Sequence, residues 1–265
     1  MGPGSRVGVF GPGGAQPGRK RCEGSGDDAL LLDEAQIAGC EPPTDAFLID
    51  TDDGAGGRTT NFTGSRSAAI ECVGRAGIDG CAFEQPIEAA VQATAPGKNP
   101  GFLRDEATLV IIFASGGGDC SATDPALFDP AAVPTLGPLS PFRCFEFGAL
   151  CTPDTPRVAG SKVACGARPQ ATPLADVPTL DAVLRSRKTD PGDVITAYVG
   201  GSPNDVTVAI EGGQPTLASS CPRPIDAAPP IRIADLDNIG AASACAVMPV
   251  DLEPMAEAIA EAIRD

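Results

Sequence analysis

Ser115-Gly116-Gly117-Gly118-Asp119-Cys120-Ser121 sets two hydroxyls and a carboxylate around three glycines. Those are the parts of a serine hydrolase: Ser115 or Ser121 as nucleophile near Asp119, with backbone amides of the glycine run as oxyanion donors. The base is missing, because the chain has no histidine and no lysine lies close to the run. Without one, a serine hydroxyl stays a weak nucleophile. For a hard divalent cation the same run supplies one carboxylate, where several oxygen ligands are needed. We therefore assign no catalytic residue, metal ligand or cofactor. The expectation is a binding loop made of Ser115, Gly116, Asp119 and Ser121, with Arg143 and Phe145 from a second loop.

Three other runs imitate functional motifs. Gly11-Pro-Gly-Gly-Ala-Gln-Pro-Gly18 follows an apolar segment as a phosphate loop would, but lacks the Gly-Lys-Ser/Thr ending and an immediate helix. It reads as plain loop. Asp50-Thr-Asp-Asp-Gly54 resembles the start of a calcium loop without its closing Glu, so a solvated turn is expected. Glu84 and Glu88 stand one helical turn apart, a spacing that suits a wet helix face as well as a carboxylate pair.

Ten cysteines without C-x-x-C spacing and without histidine are the pattern of a disulfide-bonded extracytoplasmic protein. Proximity in sequence pairs Cys22 with Cys40, Cys72 with Cys81 and Cys221 with Cys245, leaving Cys120, Cys144, Cys151 and Cys165 to pair among themselves. A net charge of −16 argues against nucleic acid and anionic membrane as partners, since both demand a basic surface. No run approaches a membrane span, and Met1-Gly-Pro-Gly-Ser5 has no apolar signal core, so no secretion signal is read in this chain. With 32 Gly and 27 Pro in 265 residues, much of the chain must be loop.

The elements that position the glycine run come from apolar periodicity. Ala107 to Ala114 is an uncharged, β-branched run, expected to be a strand buried on both faces in the middle of a sheet. In such sheets a ligand sits beyond the carboxyl ends of the strands, which is where Ser115 to Cys120 falls. Ser65 caps a helix with Ala69, Ile70 and Val73 inward, and Phe83 to Thr94 carries a stripe of Phe83, Ile87, Ala90, Val91 and Thr94. Thr179 to Lys188 is an amphipathic helix, followed by a strand at Val194–Val199 and an alternating edge strand at Val206–Ile210. Short strands are expected at Arg6–Phe10, Ala46–Ile49 and Ala244–Met248, and a closing helix capped by Asp251. Residues 123–177 form a proline- and cysteine-rich insertion, with Phe142-Arg-Cys-Phe-Glu-Phe147 as a satellite core or a partner-binding surface.

GFLRDEATLVIIFASGGGDCSA, LGPLSPFRCFEFGALC and DAVLRSRKTDPGDVITAYVGG, in that order, resemble the von Willebrand factor A-type domain of secreted or lipid-anchored proteins in myxobacteria and related deltaproteobacteria. NFTGSRSAAIECVGRAGIDGCAFEQPIEAAVQA and ACAVMPVDLEPMAEAIAEAI fit the same pattern. The resemblance implies one α/β domain over residues 1–265: a three-layer, Rossmann-like fold with a mostly parallel sheet and helices on both faces. Residues 1–5 would be an unstructured start. The family opens with a strand ending in Asp-x-Ser-x-Ser, the first ligands of its metal-ion-dependent adhesion site. Here Arg6–Phe10 aligns with the second strand, so the first strand and that loop are missing and the natural start is expected upstream. Where the family reads Thr-Asp-Glu-Asp-Asp-Cys-Ser, this chain keeps Asp119 as its one acid. The expected function is a non-catalytic, extracytoplasmic (periplasmic, cell-surface or secreted) protein-binding or structural module with a degenerate metal site and an unknown protein partner. Unpaired sheet edges would favour self-association. Two alternatives stay open: a metal-dependent adhesion domain completed by upstream residues, and a hydrolase with a serine nucleophile in the 115–121 loop.

Overall fold

The computed structural model describes residues 4–8, 29–35, 38–74, 83–170, 172–221, 227–236, 241–243, 245 and 253–262. In chain order the elements are β1 (Gly4–Val7), β2 (Leu48–Asp52), β3 (Arg58–Thr60), α1 (Arg66–Gly74), α2 (Pro86–Ala93) and β4 (Leu109–Ala114). Then come α3 (Val133–Leu136), α4 (Phe142–Gly148), β5 (Ala149–Thr152), β6 (Gly160–Ala167) and α5 (Val177–Arg185). The chain closes with β7 (Val194–Gly200), β8 (Val206–Glu211), β9 (Gln214–Leu217), α6 (Ile231–Ala234), β10 (Ala241–Ser243) and α7 (Glu253–Ala262). It is a mixed α/β protein.

The described strands form three small sheets, of which one is parallel and carries the main core: β10-β7-β4. Leu109, Ile111 and Phe113 of β4 and Val194 and Tyr198 of β7 pack against Ile87, Ala90 and Val91 of α2 and Leu180 and Leu184 of α5. Ile87 and Leu184 are wholly out of water, each contributing about 1.5–3 kcal/mol. This overturns the expected place of the apolar run. β4 alternates, with Ile112 47% exposed, and lies at the edge of the described order, whereas β7 is central and buried along nearly its whole length. An uninterrupted apolar run suits either location, and pairing partners distant in sequence decide between them.

The mostly parallel sheet is likewise not found, because the other two sheets, β1-β2-β3 and β5-β6-β8-β9, are antiparallel. Residues 123–177, expected as loop, supply α4, β5 and β6 and so build half of the second sheet. β8 alternates through Val208, with Val206 and Val208 buried, but Ile210, expected on the same face, is exposed, and the strand is flanked by β6 and β9 instead of forming an edge. Val206 and Val208 close a second core with Phe142, Phe145 and Ile231.

The supposedly unstructured start holds β1 from Gly4 onward, and β1 pairs antiparallel with β2. Ser65 Oγ accepts the Ala68 N–H at 3.2 Å, the expected cap of α1. Cys40 is bonded to Cys72, so neither can pair with Cys22 or Cys81, both outside the described residues. Nearness along the chain misleads here because β2 and β3 intervene as a hairpin and return α1 to the segment before them. Cys221–Cys245 forms as expected, and the remaining four pair as Cys120–Cys144 and Cys151–Cys165. The expected strand Ala244–Met248 and cap Asp251 fall mainly outside the described residues; β10 lies just before them.

Candidate functional site

At the carboxyl end of β4 the chain turns through the three glycines and descends into the interior at Asp119 and Ser121, both almost fully buried. A buried carboxylate requires several donors, and Asp119 finds them on three elements. Arg232 Nε of α6 donates to Oδ2 at 3.0 Å, Ser121 Oγ donates to Oδ1 at 2.6 Å, and the Ile87 N–H of α2 donates to Oδ1 at 3.2 Å. Ser121 Oγ in turn accepts the Glu88 N–H at 2.9 Å. The residue preceding α2, Gln85, makes no side-chain cap. The first-turn amides of the helix, orphaned by its geometry, are therefore satisfied from a loop more than thirty residues away.

Arg232 completes the arrangement. Its Nη2 donates to the Ala175 carbonyl at 2.7 Å, while Nη1 is buried with no hydrogen-bond partner among the described residues. Asp119 thus takes its positive counterpart from α6, and its carboxylate is committed inside the protein. Among the described residues no group of three or more acids or cysteines is gathered to hold a metal.

One turn nearer the surface, Ser115 Oγ donates to Glu84 Oε2 at 2.6 Å and accepts the Gly117 N–H at 2.9 Å. Those two bonds close the turn over Glu84, whose Oε2 would lie 3.1 Å from a Cβ placed on Gly117. A side chain at 117 would press on that carboxylate. The serine hydroxyl serves the turn as both donor and acceptor.

Beside the turn opens a cavity of about 510 Å³, within the range that holds small ligands and side chains. Gly117 to Cys120 line one side, Phe142 and Phe145 of α4 another, Glu211 and Gln214 to Leu217 of the β8–β9 hairpin a third, and Ala228, Ile231 and Arg232 complete it. The Cys120–Cys144 disulfide joins the glycine turn to α4. Arg143 points away from the cavity: its guanidinium donates to the carbonyls of Leu127 at 2.7 Å, Pro138 at 3.1 Å and Asp129 at 3.2 Å, and to Gly137 O. Burial pulls its pKa below the ordinary guanidinium value, opposed by Asp129 and Glu146.

Of the six expected loop residues, Asp119 and Phe145 line the cavity. Ser115 backs it through Glu84, and exposed Gly116 accepts the Ala228 N–H at 2.8 Å. Ser121 and Arg143 belong to the interior, each because a short loop has polar backbone groups that need a partner. Glu84, read as part of a wet face, precedes α2 and turns inward, whereas Glu88 is bonded to Gln92 on the exposed side. Sequence reasoning missed Arg232, Leu217, Ile231 and Glu211. The one available signal was an arginine set between isoleucines in Ile231-Arg232-Ile233.

Comparison with known proteins finds no matching family, no matching curated protein and no matching solved structure. Four disulfides among the described residues mark a chain that matures in an oxidising, extracytoplasmic setting. No helix among them is long and apolar enough to cross a membrane.

Proposed function

We propose that the chain is a non-catalytic extracytoplasmic binding module related to von Willebrand factor A-type domains, in which an internal guanidinium replaces the metal ion. The observation that carries this reading is the buried Asp119–Arg232 pair at the end of β4. The corner where such domains would hold a cation already contains one, covalently part of the chain. The parallel order β10-β7-β4, with α2 and α5 packed on it, supports a layered α/β core. The cavity beside the glycine turn, walled by two loops tied by Cys120–Cys144, supports binding there.

The test is selection of peptides from a random displayed library on the disulfide-intact protein, repeated with Thr216→Trp, which puts a bulky side chain on the cavity wall. Enriched peptides that fail to bind the variant support the reading. No enrichment, or enrichment indifferent to the variant, overturns it.

A further inference from the structure

Resting on that reading of the cavity, we infer that its occupant is a partner-protein segment carrying a lysine or arginine next to an apolar side chain. The charges facing the space give this answer. Among the described residues three acids line it, Glu84, Asp119 and Glu211, and one base, Arg232. Arg232 is spent on Asp119, so that pair contributes no net charge. The Glu84 carboxylate accepts one hydrogen bond, from Ser115, and neither Glu84 nor Glu211 has an ion-pair partner among the described residues. Two carboxylates therefore border an apolar space with no cation among the described residues to answer them, in a chain of net charge −16.

The walls fix the rest of the chemistry. Phe142, Phe145, Leu217 and Ile231 offer apolar surface to the stem of a long side chain. Lysine and arginine have such a stem, burying their methylenes while the charged head stays in a polar rim. An anionic or purely aliphatic occupant would leave the carboxylates repelled or desolvated without compensation.

The experiment is calorimetric titration of the whole disulfide-intact chain with three blocked tripeptides: acetyl-Leu-Lys-Leu-amide, its norleucine analogue and its glutamate analogue. The expected result is that the lysyl peptide binds about tenfold tighter than the norleucyl one. The advantage should shrink as salt is raised and disappear in Glu84→Gln/Glu211→Gln, whose thermal midpoint reports that it is folded. Equal binding of the lysyl and norleucyl peptides overturns the cationic occupant while leaving the cavity as a binding site. Preference for the glutamyl peptide overturns it as well. Absence of binding by all three also counts against it, and the library selection above then decides separately whether the cavity binds peptides.

Discussion

Arg232 Nε and Asp119 Oδ2 meet at 3.0 Å with side chains that are 3% and 0% exposed, bridging residues 113 positions apart. Such a pair gains little over a well-packed apolar substitute, but severing it strands a charge in the interior. Arg232→Met alone is expected to cost about 3–5 kcal/mol in urea unfolding. Asp119→Leu combined with Arg232→Met should recover much of that loss. Additive single-variant costs in the double variant would show that the two side chains do not act as a pair.

Arg143 holds a loop by four carbonyls instead of by a carboxylate. Arg143→Met should cost about 2–4 kcal/mol and speed amide hydrogen exchange over residues 127–138. Arg143→Lys should behave nearly as badly, because one ammonium cannot span acceptors that a planar guanidinium fork reaches together. Exchange unchanged in both variants would contradict the role.

Asp50 joins β2 to β3 and α1, accepting from Arg58 and Arg66. Those two guanidiniums hold its carboxyl below the ordinary aspartate value of 3.8, Arg66 having the larger influence. A depressed carboxylate stabilises the folded state above the ordinary value and loses that contribution as pH falls through its lower, folded-state value. Unfolding midpoints followed by circular dichroism from pH 5 down to about pH 2 should therefore drop more steeply for the natural chain than for Asp50→Asn. Parallel profiles would remove Asp50 from the account of acid stability.

A fluorophosphonate probe should leave the chain unlabelled. Ser121 is fully buried, and Ser115 already donates to Glu84 and accepts from Gly117. Mass-spectrometric detection of an adduct on Ser115 would revive a catalytic reading of the turn.

What the sequence made legible is what repeats locally. Ile87, Ala90 and Val91 of the expected stripe are buried on α2 as helical spacing demands, whereas Phe83, ahead of the helix, is buried in a separate cluster; Ser65 caps α1. The glycine run does end a strand and border the cavity. Pairings made at long range were hidden. Nothing within reach of Asp119 in sequence announces Arg232, and nothing near Cys40 announces Cys72. The antiparallel sheet made by β5, β6, β8 and β9 was concealed by the prolines around it, which punctuate its connections without preventing its strands. Helical spacing also exaggerated the kinship of Glu84 and Glu88, since α2 begins only after Glu84.

Cys120 sits at the foot of the glycine turn and Cys144 within α4, so one covalent bond spans the two sides of the cavity. That tie exists only once the chain has been oxidised. A newly made chain, still carrying thiols, lacks the covalent link between the two walls, so the compartment that forms the bond also sets the moment at which the cavity's frame is fastened.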